Sequence, residues 1–490
     1  MPLQSSDMTG SLNSSRPAAC DVAIVGAGPA GMAAATHAAD LGLDVVLLDE
    51  QSEPGGQVYR GLATASPARR AALGPEYEHG VALHSALDRS GARRVSGASV
   101  CDVARATDGF DVCVALDSEA WLLRARCVIL AVGAIERPLQ VTGWTLPGVT
   151  SAGAVLGQIQ RLAPSPEGRI VLAGCGPLLY LAAQQLGKAG ADVVAILDTL
   201  SVRRFVRALP RAIEFMRSPY YARGSKLLRE VNDTVPIYHD VVEFAALGND
   251  RLSSVRFAAN KRTATLIADH LVLHQGIVPE IHLADAIGCD IVWDDVAACW
   301  RPRVDAWGAS SVEGVLVAGD GAGIAGANAA AQRGALAALA AAAFIGCIDK
   351  SKRDADAIAP WQALAQALRG RRFMDSVYRP PERFRLPEGD TIVCRCEGIT
   401  ARAIVAAAQE GCAGPNQLKA FLRCGMGPCQ GRDCSLAVTE LIARERRMAP
   451  ATVGSFRARF PAKPLTLAQL ASLPSSAADR NAVVRLPADD

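Results

Sequence analysis

Asp21-Val-Ala-Ile-Val-Gly26-Ala-Gly28-Pro-Ala-Gly31, running on through an alanine-rich stretch to Val45-Val-Leu-Leu-Asp49-Glu50, is the part of the sequence on which the fold turns. Asp21–Val25 reads as a short buried strand, Met32–Leu41 as a helix and Val45–Leu48 as a second strand. Together they form a strand–helix–strand unit of about 30 residues. The turn between strand and helix is G-x-G-x-x-G. Gly26 permits the tight turn, Gly28 lets a pyrophosphate approach the backbone, and Gly31 lets helix pack on strand. The helix N-terminus offers free N–H groups and a partial positive charge to that anion. Asp49 ends the second strand, placed to accept from a ribose hydroxyl, and its neighbour Glu50 competes for the role.

A second unit follows the same plan. Arg169–Ala173 is its strand, Gly174-Cys-Gly176 the turn, Leu178–Ala189 the helix and Val193–Leu197 the next strand. Its third glycine position is Leu179, expected to push the helix outward and crowd the site. Asp198, which ends that next strand, suits an unphosphorylated ribose. Three readings stay open for this unit: NAD(P)H, another adenine nucleotide bound through Gly174, Gly176 and Asp198, or an empty vestigial fold.

The composition agrees with nucleotide-binding α/β folds. The chain has 490 residues, 44 of them glycine, with aromatics at only 5%. At about 100–200 residues per domain this is two to four domains. Lys plus Arg total 51 against 49 Asp plus Glu, so the net charge of +2 carries no nucleic-acid footprint. The Ser-rich N-terminus lacks an apolar signal core, and the longest apolar run is Ala335–Ile348. That run falls short of the roughly 20 residues a span needs, so it reads as a packed helix and no transmembrane segment is expected. The expected location is the cytoplasm, with contact to the inner membrane only through partners.

The expected fold is therefore α/β, with two interleaved doubly wound dinucleotide-binding domains and a small helical C-terminal module. Residues 1–20 read as a tail, 21–160 and 276–350 as the two parts of the first domain, and 161–275 as the second. A basic, Pro-rich linker, with a short helix around Trp361–Leu368, covers 351–388, the module covers 389–445, and an extended tail covers 446–490.

Further motifs bear on the dinucleotide. Glu53-Pro-Gly55-Gly56-Gln57 follows the second strand, Val128-Ile-Leu-Ala131-Val-Gly133-Ala134 is a further strand, and Gly314-Val-Leu-Val-Ala-Gly319-Asp320 another. In this order they resemble the FAD motifs of two-dinucleotide-fold flavoproteins such as thioredoxin reductase. The resemblance implies Gly55, Gly56 and Gln57 at the flavin phosphates, Ala131 and Gly133 in the return motif, and Gly319 with Asp320 at the ribityl chain. The helix after Gly321 would then point at the pyrimidine end, where its dipole stabilises reduced flavin. No C-x-x-C occurs before residue 394, which argues against disulfide reduction. His274 and Cys175 read as buried structural residues. No nucleophile triad is legible, so no catalytic residue is assigned.

Six of the 14 cysteines, 394, 396, 412, 424, 429 and 434, crowd into one short stretch. Cys394-Arg-Cys396 is C-x-C, and near the end of the stretch comes Cys429-Gln-Gly-Arg-Asp-Cys434, a C-x₄-C. Four thiolates from two turns can hold zinc or an iron–sulfur cluster. The tight C-x-C, the flanking Arg395, Arg423 and Arg432, and the glycines around the thiols favour a 2Fe–2S cluster on Cys394, Cys396, Cys429 and Cys434. Cys412 reads as a bystander, and Cys424 as an alternative to Cys429.

These turns, with Asn416-Gln-Leu-Lys-Ala-Phe421, resemble the bacterioferritin-associated-ferredoxin type of module. The same module and the tail Phe460-Pro-Ala-Lys-Pro-Leu-Thr-Leu467 follow an FAD domain in the α-type subunits of opine oxidases, which this sequence resembles. The corresponding FAD-domain subunits of hydrogen cyanide synthase and of dye-linked hydroxyproline dehydrogenase are similar. The resemblance implies an electron-handling FAD and 2Fe–2S subunit. Its partner would be an FAD-containing, amino-acid-oxidase-type β subunit, in some assemblies with a small third subunit, and its acceptor a quinone or dye. The rival readings are a stand-alone NAD(P)H-dependent reductase and a non-catalytic binding module.

Overall fold

The computed structural model describes residues 16–62, 75–160 and 166–475; the rest of both expected tails, 1–15 and 476–490, lies outside the described residues. The first glycine unit sits at the centre of a seven-stranded sheet. Ala19–Val25 pairs in parallel with Val45–Asp49 on one side and with Glu119–Leu130 on the other. Arg93–Ser96 extends the parallel edge, Val315–Val317 returns beside Glu119–Leu130, and an antiparallel meander, Ser99–Ala106 and Gly109–Leu116, completes the sheet. Alternate residues serve opposite faces, as a strand period of two requires. Val22 and Ile24 join one core cluster, Ala23 and Val25 the other.

The long Ala-rich segment is a helix, Ala327–Ile345, ended by Gly346 in the left-handed region. It crosses helix Pro29–Asp40 at near backbone contact. A Cβ on Gly334 would stand 2.0 Å from the Ala30 carbonyl oxygen. Among the described residues no helix is long and apolar enough to cross a membrane.

The second glycine unit heads a five-stranded sheet in the order Ile237–Tyr238, Asp192–Asp198, Arg169–Gly174, His270–His274, Val149–Ser151. A three-stranded meander, Val241–Gly248, Leu252–Ala259 and Arg262–Ile267, packs beside it. The chain passes between the two sheets twice, and those passages, Ala134–Glu136 and Ile277–Pro279, pair antiparallel.

The segment read as a linker is folded. Helices Lys350–Asp356, Ile358–Leu368, Arg371–Val377 and Glu382–Arg385 fill it, with Leu364 buried in the first core and Phe384 in the core of the second domain. The cysteine module is a hairpin, Ile392–Cys394 with Ile399–Thr400, together with helices Ala401–Gln409, Pro415–Leu422 and Ser435–Arg446. The C-terminal segment then runs back over the first sheet. Ala462 N–H donates to Cys101 O at 2.8 Å, Gln469 donates to Asp117 O at 2.9 Å, and Lys463 pairs with Glu50.

Candidate functional site

The first glycine turn is built from backbone with no room for side chains. Gly26 has φ +102°, and a Cβ there would lie 2.5 Å from Ala131 O. At Gly31 a Cβ would lie 1.7 Å from Gly26 O. Gly28 faces a second loop across the crevice: a Cβ on Gly56 would stand 2.8 Å from Gly28 Cα. Gly55 N–H donates to Ala27 O at 2.8 Å and pins the two loops together. Gln57 is exposed, its side-chain oxygen accepting from Arg60 at 2.8 Å. This bare cradle at a helix N-terminus suits a dinucleotide pyrophosphate.

Asp49 and Glu50 part company. Asp49 turns toward the glycine loop, accepting from Ala27 N–H and, at 2.6 Å, from Gln51 N–H; burial pushes its carboxyl pKa up against those donors. Glu50 points to the other face, where Ser99 donates to it at 2.8 Å and Lys463 pairs with it. Glu50 thus anchors the C-terminal segment. Asp320 accepts from Ala325 N–H at 2.7 Å and Gly326 N–H at 3.0 Å, shaping the loop that opens helix Ala327–Ile345. Gly319 at φ +72° lies against Ala30, and Gly133 at φ +72° presents its carbonyl to Glu280 N–H at 3.1 Å.

The second crevice differs from its expected form. Asp198 is 2% exposed, and its carboxylate is engaged by Tyr180 O–H at 2.7 Å, Leu200 N–H at 2.8 Å and the His239 ring at 3.4 Å. Leu179 does not crowd the crevice. Its side chain is fully buried in the core behind the sheet, with Leu172 and Leu156. The glycine turn is instead approached by the segment after helix Arg371–Val377, with Tyr378 O 4.0 Å from the Cys175 sulfur. Arg204 Nη1 and Arg379 Nε are buried without hydrogen-bond partners among the described residues. His274 is the satisfied core residue expected: its Nδ1–H donates to Glu136 at 2.5 Å and its Nε2 accepts from Gly276 N–H at 3.2 Å.

In the cysteine module, the sulfurs of Cys394, Cys424 and Cys434 lie within 4.8 Å of one another, all three buried. Cys396 and Cys429 lie nearer the surface; burial first, and the neighbouring Cys396 thiol after it, push the Cys429 thiol pKa up. Cys412 stands apart, its sulfur 3.5 Å from Gly414 O. Hydrogen bonds from Cys424 and Cys434 hold the Cys394 thiol pKa down to about 2 against burial, aided by the N–H groups of Gly425 and Glu397. Gly427 has to be bare, since a Cβ there would stand 2.2 Å from the Cys396 Cβ. A buried trio of sulfurs, with a further thiol pair in the same module, is a donor set for a soft metal centre.

Residues that no motif announced hold this module to the rest. Gln140, 5% exposed, donates from one amide nitrogen to Val393 O at 3.0 Å and Asp433 O at 2.8 Å, the carbonyls just before Cys394 and Cys434. Trp144 donates to Ile392 O at 2.7 Å. Glu280 accepts from Arg432 at 2.9 Å and from His282 at 2.6 Å, and the other His282 nitrogen bonds Gln430 O at 3.2 Å. Burial pushes the Glu280 carboxyl pKa up, but the His282 hydrogen bond and the charges of His282 and Arg432 win and hold it at about 2. Arg385 and Glu440 form a further pair, each side chain 8% exposed.

Known proteins share this organisation. Residues 20–335 match the family model described as pyridine nucleotide-disulphide oxidoreductase, and residues 388–473 that of the sarcosine oxidase A3 domain. The chain is 42% identical over 479 residues to the A-type subunit of opine oxidase from Agrobacterium tumefaciens (strain Ach5), covering 96% of this chain and 95% of that one. It is 31% identical to hydrogen cyanide synthase subunit HcnB of Pseudomonas protegens, covering 90% and 95%. L-proline dehydrogenase from P. horikoshii superposes with a TM-score of 0.67 over 92% of this chain and 78% of that one; at 18% identity the likeness is one of fold.

Proposed function

The chain belongs to the family of opine oxidase A-type subunits, and from that membership we propose that it is the electron-transfer subunit of a heteromeric, dye-linked amine oxidase. The substrate class is a secondary-amine amino acid, an opine such as octopine or nopaline or a D-hydroxyproline, oxidised on an FAD-containing partner subunit. When bound, FAD would supply two-electron and a 2Fe–2S cluster one-electron chemistry, a combination suited to linking amine oxidation to a quinone or dye. Gly26, Gly28, Gly31, Gly55 and Gly56 would hold the FAD pyrophosphate, with Asp49 on the ribose side and Ala131, Gly133, Gly319 and Asp320 along the rest of the cofactor. Cys394 with Cys434, and Cys396 with Cys429, would supply the four thiolates. Each of those pairs takes one sulfur from either turn, and Cys424 then lies beside the first pair as a fifth thiol.

The observation that best supports this reading is the path from Gly133 through Glu280 to Arg432, which docks the cysteine turns on the flavin crevice. The second crevice is proposed to take the phosphates of an adenine nucleotide. The free Nη1 of Arg204 and Nε of Arg379, without partners among the described residues, favour an anion there, and the occupied carboxylate of Asp198 disfavours a ribose bound in the usual way. The test is amine oxidation with octopine, nopaline and cis-4-hydroxy-D-proline and an artificial dye, by the chain alone and co-expressed with its partner. Turnover is expected only for the assembly. Full turnover by the isolated chain would refute the subunit reading.

A further inference from the structure

The second domain carries a helical excursion that nothing in the electron-transfer role uses. Between strands Asp192–Asp198 and Ile237–Tyr238 the chain folds as helix Val202–Ala208, the turn Leu209–Arg211 and helix Ala212–Met216. Two apolar stripes run along it. Ala208, Ala212 and Phe215, spaced by four and three, face inward and pack on Phe373 and Val377, with the Phe215 and Phe373 rings stacked at 4.4 Å. Val206, Leu209, Ile213 and Met216, spaced by three, four and three, face outward and are 55%, 48%, 62% and 52% exposed. A helix in a lone monomer buries one stripe and leaves the other polar. The inward face is already occupied and tied down, by Gly370 N–H on Glu214 at 3.2 Å and Arg211 on Ser376 at 3.0 Å. No local rearrangement hides the outward stripe.

The geometry points to this stripe as the docking face for the amine-oxidising partner subunit, an inference that rests on the heteromeric reading above. Charge selects the occupant. Residues 201–217 contain five arginines, one glutamate and no lysine. Arg203, Arg207 and Arg217 are exposed and hold no ion pair among the described residues. Arg, Met and Phe are enriched and Lys depleted at protein–protein interfaces, whereas attraction to anionic lipid draws on Lys as readily as on Arg. A second copy of this chain is disfavoured, because a two-fold contact sets each patch against itself and would oppose unpaired guanidiniums at high cost. The fitting surface is an apolar groove rimmed by carboxylates. The position suits electron arrival: the next helix, Pro219–Asn232, carries Tyr220, whose hydroxyl reaches Ala325 O at 3.3 Å in the loop opening the flavin-facing helix.

The test is gel filtration and affinity measurement of the co-expressed assembly carrying Ile213→Glu, with Arg207→Glu as a second variant that leaves the apolar stripe untouched. Ile267→Glu, equally exposed on the three-stranded sheet, is the control. Both excursion variants should keep the flavin and iron content of the wild-type chain. Each should bind the partner at least about 30-fold more weakly, the loss typical of an interface hot spot, while the control binds normally. Undiminished binding by Ile213→Glu and Arg207→Glu overturns the inference and leaves the subunit reading intact. So does a wild-type homodimer, or binding to phosphatidylglycerol vesicles, that Ile213→Glu alone abolishes. Failure of the wild-type chain to form any assembly overturns both.

Discussion

Replacing Glu280 by Gln removes the charge that docks the cysteine module on the first domain beside Gly133. The Glu280 side chain is 13% exposed and its pKa is held at about 2 rather than 4.5, so little solvent screening applies. A depression of that size corresponds to about 3 kcal/mol of interaction between the carboxylate and its surroundings, within the range expected for breaking a buried ion pair. Arg432 and His282 bond different oxygens of the Glu280 carboxylate, so in Gln the NH₂ group would take the place of one acceptor and face a donor. The assay is hydrogen exchange at residues 392–396 and 429–434, where a local loss of about 3 kcal/mol gives roughly 100-fold faster exchange. A carboxyl depressed in the folded state stabilises above its unfolded pKa and loses that contribution as pH falls. The difference between wild type and Glu280→Gln should therefore be full at neutral pH and shrink from pH 4.5 downward toward 2. Equal protection at neutral pH, or a difference that does not shrink on acidification, would refute the reasoning.

Gly28→Val should purify folded but with little FAD, because its side chain enters the gap facing Gly56; full flavin content would remove this crevice as the pyrophosphate site. Ser at Cys394, Cys396, Cys429 or Cys434 should lose iron, and Ser at Cys412 should not. Iron loss with Cys424→Ser but not with Cys429→Ser would move the ligand set inward to the buried trio. NADH and NADPH should reduce the flavin slowly or not at all, since Tyr378 lies on the second glycine turn and Asp198 is already bonded. Rapid bleaching at micromolar NADH, followed in a stopped-flow instrument, would promote the stand-alone reductase.

What is legible in the sequence is local. The roles of Gly26 and Gly31 follow from backbone contacts a few residues apart, or from a strand edge any such unit must have, so the motif carries them. Thiol spacing brings Cys394 and Cys434 to one place, but does not rank Cys424, because its approach depends on how the helices around it pack. Leu179 departs from expectation for a related reason. A bulky residue at the third glycine position obstructs only if its side chain points into the crevice, and here the core receives it. Glu50 looks like a ribose ligand by position, yet its partner Lys463 is 413 residues away. Gln140 and Glu280 announce nothing by themselves. Their partners lie 253 and 152 residues on, so only the folded chain reveals them. The Pro-rich stretch after residue 370 suggests a linker, but Pro380 and Pro381 merely separate short helices that stay packed.

The most direct test of the central claim is anaerobic addition of an opine to the isolated chain and to the co-expressed assembly. Visible absorbance would follow the flavin, and low-temperature electron paramagnetic resonance the iron–sulfur centre. In the assembly, both the flavin bands and the signal of a reduced 2Fe–2S cluster should respond to octopine or nopaline, and in the isolated chain neither should change. Reduction of the isolated chain by the opine, or an assembly that oxidises opine with no iron–sulfur signal, would contradict the account.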